Sequence, residues 1–287
     1  MNRCKLSYLL KFLNEKGLKP NKSLSQNFLV DMNIVKKIVD HLELNKDDYV
    51  LEIGPGAGAL TERLSEFSVH LTCVEKDKNL SKFLEFDDPA CHSFKVVNQD
   101  IMLYDLPAIE DSKKWKIISN LPYHLTSKII KKLAKLRNGI DFCILMVEKG
   151  YADDLINAQK NKQHDATSFI LHHAFEISVL FPVSKTCFYP KPKIDSSIIK
   201  LKPKMVMNLD EEFISFIEIF FNQKRKMIQS ILKASFESDV SNLPEELEVY
   251  MKLRPEVLSK EDAYKIFSFF YSDIKKKIDA KKDKYDQ

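Results

Sequence analysis

An α/β fold with a mostly parallel, doubly wound sheet, followed by a small all-α C-terminal domain, is the fold class this sequence predicts. Three observations carry that prediction. Short apolar runs alternate with amphipathic stretches from Tyr49 to Val147, the pattern of strand–helix repeats that build a parallel sheet. The first run ends in a glycine cluster, Glu52-Ile53-Gly54-Pro55-Gly56-Ala57-Gly58, and a helical pattern opens after it. Beyond Leu201 the texture changes, and from Glu211 onward only helical periodicity is left.

Taken in order, residues 1–22 read as a basic N-terminal arm. Arg3, Lys5, Lys11, Lys16, Lys19 and Lys22 stand against one acid, Glu15. Such a run is a solvated arm, or one that touches phosphate. A helix follows, with Asp31 placed to cap it and Ile34, Val35, Ile38, Val39 and Leu42 at helical spacing. Strands are expected at Tyr49–Ile53, His70–Glu75, Phe94–Asn98, Lys116–Ser119 and Phe142–Val147. Helices are expected between them at Leu60–Phe67, Leu80–Phe86 and Ser127–Leu136. Phe175–Phe181 and Ser197–Leu201 read as two late strands, joined by the proline-bearing loop Pro182–Pro192. Lys202-Pro203-Lys204 reads as a linker, which puts one domain at 23–203 and a helical one at 204–287. In the latter, Phe213, Phe216, Ile217, Phe220 and Phe221 mark one helix, Met227, Ile228, Ile231 and Leu232 a second, and Glu261 onward a last. The charged end, Lys275–Gln287, reads as fraying.

Composition narrows the class. The 287 residues are 44% hydrophobic and 30% charged, enough for an ordinary core. A net charge of +4 and a pI near 8.6 permit a nucleic-acid partner without demanding one. Cys4, Cys73, Cys91, Cys143 and Cys187 are odd in number and widely spaced, with no C-x-x-C pair. That argues against a disulfide framework or a zinc cluster and for a reducing cytoplasm. Met1–Phe12 has no long apolar stretch and no small-residue cleavage site, so it does not read as a signal peptide. Phe142–Val147 is far too short to span a bilayer.

The glycine cluster places residues without side chains where a ligand must approach backbone, at a helix start whose N–H groups are expected free. About twenty residues on, Glu75 ends the next strand, where an acid accepts hydrogen bonds from ribose hydroxyls. Asp100 follows the third strand and is placed to accept from an adenine amino group. The spacing G-x-G-x-G departs from the dinucleotide pattern G-x-G-x-x-G. A nucleoside cofactor follows from the three features together. They leave NAD and S-adenosylmethionine both open.

Asn120-Leu121-Pro122-Tyr123 follows the strand Lys116–Ser119, at the sheet edge where such folds bind ligands. These residue types suit methylation of an exocyclic amine. The lone pair of an adenine amino nitrogen is shared with the ring, and acceptors for its N–H groups localise that lone pair. The Asn120 side-chain carbonyl is one acceptor, and the Pro122 backbone carbonyl, aimed by the proline turn, is a second. Tyr123 can stack on an extruded base. A plain proline turn with an aromatic anchor would carry the same four residues.

Here the sequence resembles the ribosomal RNA adenine dimethylases, the KsgA family, whose broader relatives include the Erm enzymes. The likeness starts at Ser25-Gln26-Asn27-Phe28-Leu29 and runs through Glu52–Gly58, Val74-Glu75-Lys76-Asp77, Gln99-Asp100 and Asn120–Tyr123. It continues at Phe188–Ser197 and reaches Phe221-Asn222-Gln223-Lys224-Arg225-Lys226, which favours KsgA over Erm. It departs at Lys149-Gly150-Tyr151 and at His164-Asp165-Ala166-Thr167-Ser168.

The resemblance implies a Rossmann-like class I methyltransferase that uses S-adenosylmethionine. The implied substrate is two adjacent adenosines near the 3′ end of small-subunit ribosomal RNA, each dimethylated at N6. It implies that Asn27, the Leu29 backbone, Gly54, Gly56, Glu75, Asp100 and Asn120 contact the cofactor. Asn120, Pro122 and Tyr123 then serve the amine. Phe188, Lys191, Lys193, Lys224, Arg225 and Lys226 are the candidate RNA contacts, with Lys224–Lys226 read as a basic cluster on a helix. The implied partner is the small ribosomal subunit and its RNA, in the cytoplasm, with a monomeric enzyme and neither membrane nor metal. His172 and His173 have no acid or cysteine at ligand spacing and read as core or surface histidines. Two other readings stand beside this one. They are an RNA-binding assembly factor without activity and a small-molecule methyltransferase.

Overall fold

A computed structural model describes residues 3–21, 24–86, 93–161, 165–204 and 211–282. Its elements in chain order begin with α1 (Leu6–Glu15), β1 (Phe28–Leu29), α2 (Met32–Asp40), β2 (Tyr49–Ile53), α3 (Ala59–Leu64), β3 (His70–Glu75) and α4 (Lys78–Phe86). Then come β4 (Phe94–Asn98), β5 (Trp115–Asn120), α5 (Thr126–Lys135), β6 (Ile140–Glu148), α6 (Lys149–Asn161), α7 (Ala166–Ala174) and β7 (Phe175–Val183). The chain continues through β8 (Phe188–Tyr189), β9 (Ser196–Pro203), α8 (Glu211–Asn222), α9 (Ile228–Phe236), α10 (Glu245–Met251), α11 (Lys260–Phe269) and α12 (Tyr271–Lys282).

Two compact units share these elements. One draws on Met1–Asp154 and Glu176–Pro203, the other on Leu155–Phe175 and Lys204–Gln287. The first holds a seven-stranded sheet in the order β4-β3-β2-β5-β6-β9-β7. Strands β4 to β6 pair in parallel, and β9 runs antiparallel to β6. β2 lies between β3 and β5, with Tyr49 level with both His70 and Trp115. Strand order therefore reverses at β2–β5, and the crevice beyond the carboxyl ends of those two strands is where such sheets bind ligands. The central strands carry near-continuous apolar runs because both their faces are covered. Val50, Ile117, Ile118, Cys143, Ile144 and Leu145 are all buried.

The sequence expectation of a solvated basic arm is corrected at α1. Leu9, Phe12 and Leu13, at helical spacing, are buried in the core of the first unit, and the Phe12 ring lies 3.9 Å from that of Phe83. The lysines lie on its outer face and mask the apolar stripe in a composition count. The Asp31 cap is as expected, its carboxylate accepting from the N–H groups of Asn33 and Ile34. Lys202 and Pro203, expected in a linker, close β9 instead.

The second unit is a phenylalanine-rich helical assembly. Phe213, Phe216 and Phe220 on α8 are fully buried. Ring centroids are 4.2 Å apart for Phe216 and Phe220, and 5.2 Å for Phe213 and Phe267 of α11. Tilted and edge-on aromatic pairs of this kind add to the stabilisation from burial. His172 and His173 on α7 are buried in this unit, and His172 Nε2 sits 2.9 Å from the Leu155 carbonyl. They are core histidines. His164 lies outside the described residues, whereas Asp165 and Ser168 of the same stretch form a reciprocal cap at the start of α7.

Candidate active site

The loop after β2 is built by its glycines. Gly54, Gly56 and Gly58 have φ of +65°, +60° and +85°, values that side chains resist. A Cβ on Gly56 would also stand 3.3 Å from the Phe28 ring. The expected free N–H groups are not found at these three residues. Gly54 donates to the Val74 carbonyl at 2.9 Å, Gly58 to that of Pro55 at 2.9 Å, and Gly56 to Glu75 Oε2 at 2.9 Å. The glycines serve the bend and the close approach to Phe28.

Glu75 ends β3 and is almost fully buried. Besides the Gly56 N–H, it accepts from Asp77 N–H through Oε1 at 2.8 Å. Burial raises its carboxyl above the usual value, and these backbone N–H groups pull it back down. A carboxylate has about four lone-pair sites, so these bonds do not exhaust its capacity to accept. Asp100, after β4, is bridged to Lys76 at 2.8 Å and takes the Met102 N–H at 2.9 Å. The hydrogen bond from Lys76, then that from Met102, holds it below the usual carboxylate range.

Asn120 closes β5. Its Nδ2 donates to the Asn27 carbonyl at 2.8 Å. Only the amide nitrogen can donate to a carbonyl, so the side chain's orientation is fixed and Oδ1 is the acceptor left over. Asn27 belongs to a strap, Ser25–Leu29, tied down at several points. Gln26 Nε2 donates to Asp77 at 2.9 Å, Ser25 Oγ lies 2.8 Å from His124 Nδ1, and Phe28–Leu29 pair with Phe188–Tyr189 as a two-stranded ribbon. Strap, glycine loop, Glu75, Asp100 and Asn120 line one cleft, which also takes in Leu29, Pro122 and Tyr123.

The Pro122 carbonyl turns into the short 3-10 helix that follows. There it accepts from Leu125 N–H at 2.9 Å and from Thr126 Oγ at 3.4 Å. Asn120 Oδ1 is the less committed acceptor of the two. Tyr123 is half-buried, with its hydroxyl 2.7 Å from Ser196 Oγ, which steadies the ring. Burial raises its phenol above the usual value, so the hydroxyl stays neutral.

The other candidate residues scatter. Lys193 lines a second opening together with Tyr123, Asn27, Glu148 and Tyr189, and Lys191 is exposed nearby in sequence. Phe188 is 4% exposed and sits in the core, where it acts as an anchor of the ribbon. Lys224, Arg225 and Lys226 are exposed in the turn between α8 and α9, not on a helix, and belong to the second unit. The sequence reading missed Ser196 as a partner of Tyr123, and Arg3, which lines the cleft. Ser196 lies within the Phe188–Ser197 stretch that carries the resemblance, whereas Arg3 gives no signal beyond its charge. Among the described residues no cluster of three or more His, Cys, Asp or Glu could hold a metal, and no helix is long and apolar enough to cross a membrane.

A cleft at the switch point, with acids ending successive strands and an orientated asparagine amide, suits S-adenosylmethionine and an amine acceptor. Comparison with known proteins agrees. The sequence model of the family described as ribosomal RNA adenine dimethylase matches residues 17–272. Ribosomal RNA small subunit methyltransferase A of Protochlamydia amoebophila is 36% identical over 276 residues, covering 93% of this chain and 97% of that protein. The protein of that name from Malacoplasma penetrans is also 36% identical, over 92% and 97%. Among solved structures, a dimethyladenosine transferase from Plasmodium falciparum superposes with a TM-score of 0.66 at 22% identity, over 86% of this chain and 98% of that one. The 23S rRNA methyltransferase ErmE follows with 0.57 at 23%, over 80% and 96%. These two show the shared fold. The chain belongs to the ribosomal RNA adenine dimethylase family, enzymes that methylate adenine in ribosomal RNA with S-adenosylmethionine as donor.

Proposed function

We propose that this enzyme places two methyl groups on N6 of each of two adjacent adenosines near the 3′ end of small-subunit ribosomal RNA. We place this step in the cytoplasm, during small-subunit assembly, and assign it to a monomer. The observation that carries the reading is the Asn120 amide, held by the Asn27 carbonyl so that Oδ1 is the acceptor at the end of β5. The small-subunit assignment is supported by the names of the relatives that match over nearly their whole length.

Glu75, Asp100 and the Ser25–Leu29 strap would hold S-adenosylmethionine. When bound, it supplies an already activated sulfonium methyl. The chain's own residues hold and orient the amine. Asn120 Oδ1 accepts one N–H and so draws the nitrogen lone pair out of the ring. Pro122 fixes the turn that sets this geometry, with its carbonyl as a secondary acceptor. Tyr123, braced by Ser196, offers an aromatic face for an extruded base. No residue needs to remove a proton before attack, so alignment is the main task, and it can contribute about 7–11 kcal/mol. Exposed Lys191, Lys193, Lys224, Arg225 and Lys226 are assigned to phosphate. Phe188, buried in the core, anchors the ribbon that holds Phe28 and Leu29.

The test is incubation of the enzyme and radiolabelled S-adenosylmethionine with small and large subunits that lack these methyl groups. Label entering small-subunit RNA alone is expected. Label in large-subunit RNA, or in free adenosine only, contradicts the proposal.

A further inference from the structure

Arg3 is 2% exposed and one of the largest fully buried side chains in the described residues. Its Nη1 donates to the Ala57 carbonyl at 3.3 Å, inside the glycine loop, and its backbone N–H donates to Glu62 Oε2 at 2.7 Å on α3. The guanidinium carbon sits 4.6 Å from the centre of the Phe83 ring on α4. The next residue, Cys4, points its Sγ at the Ala59 carbonyl at 3.8 Å. Gly58 is shaped around this insertion, since a Cβ there would meet Arg3 Nη1 at 2.6 Å. Glu52, the buried acid that opens the glycine motif, feels the positive charge of Arg3 and accepts from Thr61 Oγ1 at 2.7 Å.

A buried guanidinium is costly unless its hydrogen bonds and charge are matched. Here the Ala57 carbonyl of the glycine loop takes one of its N–H groups, and the Phe83 ring faces its charge. From this we infer that Arg3 is a positioning residue for the cofactor loop. It holds the Ala57 carbonyl and so sets the course of the glycine loop that, with Glu75, receives the cofactor. α1 keeps Arg3 in place by burying Leu9, Phe12 and Leu13. The segment that sequence alone assigns to a basic arm is, on this account, part of the cofactor site. The inference rests on the reading of this cleft as the S-adenosylmethionine site.

The test uses the full chain and calorimetric titration with S-adenosylmethionine, with thermal unfolding measured in parallel. Arg3→Met keeps much of the stem over Phe83 and removes charge and donors. Its Kd is expected to rise about ten-fold, a change of about 1.4 kcal/mol. Arg3→Lys keeps the charge but not the planar fork, and its Kd is expected to lie between the two. KM for S-adenosylmethionine should rise in parallel, with kcat at saturation retained. A residue that merely stabilised the fold would lower Tm and leave the Kd of the folded protein unchanged, and that result overturns the inference. If Arg3→Met does not fold, Arg3→Lys decides, because a wild-type Kd in that variant is equally contrary. Failure of the unsubstituted protein to bind would instead overturn the cofactor assignment itself, and this inference with it.

Discussion

On the proposed function, Asn120 is the residue on which the chemistry turns. Its Nδ2 is committed to the Asn27 carbonyl at 2.8 Å, so strap and proposed catalytic residue form one unit. Asn120→Ala removes both the acceptor and this tie. A loss of about 10²–10³ in kcat is expected, comparable to deleting one preorganised hydrogen-bonding group. Cofactor binding should be partly kept, and single-turnover assays beside calorimetry check both. Glu52 gives a second prediction. Burial pushes its carboxyl from an ordinary 4.5 up to about 7, against hydrogen bonds from Thr61 and Cys73 and with Glu75 adding to the rise. Between those values the folded state holds more protons than the unfolded one, so stability falls as pH rises. Glu52→Gln lacks this loss. Its Tm should therefore gain on wild type as pH climbs from about 4.5 to about 7 and run parallel above, whereas parallel curves throughout would contradict the burial argument. The sequence singled out Asn120, Glu75 and Asp100 because each closes or follows a strand with unmistakable apolar patterning, and the three line one cleft. It could not show that the Pro122 carbonyl is drawn into the next turn, since that depends on Leu125 and Thr126 folding back. Nor could it show that Phe188 is buried, because a two-residue strand such as β8 has no periodicity to read.

At the scale of elements, strands β2, β3 and β4 lie where their apolar runs place them, and β5, β6, β7 and β9 extend one or two residues beyond. Parallel strands buried on both faces leave a strong signal. Helices were harder. α6 and α10 were not read at all, the first because its apolar positions are sparse among charged ones, the second because it is short. α1 was hidden by its lysines. Its contribution is open to measurement, since Phe12 is 5% exposed and its ring packs tilted against Phe83. Phe12→Ala should cost about 3–5 kcal/mol by urea unfolding. A cost below 1 kcal/mol, roughly that of an exposed site, would return α1 to the status of a loose arm.

For the whole molecule, the change of texture after Leu201 marked the approach to a second unit, but not that the unit also takes in Leu155–Phe175 from mid-chain. Those residues come together with the C-terminal helices only in three dimensions, through ring pairs such as Phe169 with Phe221. On the proposed function, the two units divide the work, one binding the cofactor and the other phosphate. Replacing Lys224, Arg225 and Lys226 with alanine should leave the Kd for S-adenosylmethionine unchanged. It should flatten the salt dependence of RNA binding by about 0.7 in logarithmic slope for each phosphate no longer neutralised. An unaltered slope would remove this turn from the RNA-binding surface. The central claim is the position and number of methyl groups, and nucleoside-resolved mass spectrometry of small-subunit RNA after incubation with enzyme and S-adenosylmethionine measures both. The account predicts N6,N6-dimethyladenosine at two neighbouring positions near the 3′ end and nowhere else. Its absence, or its appearance elsewhere in the RNA, would contradict the account.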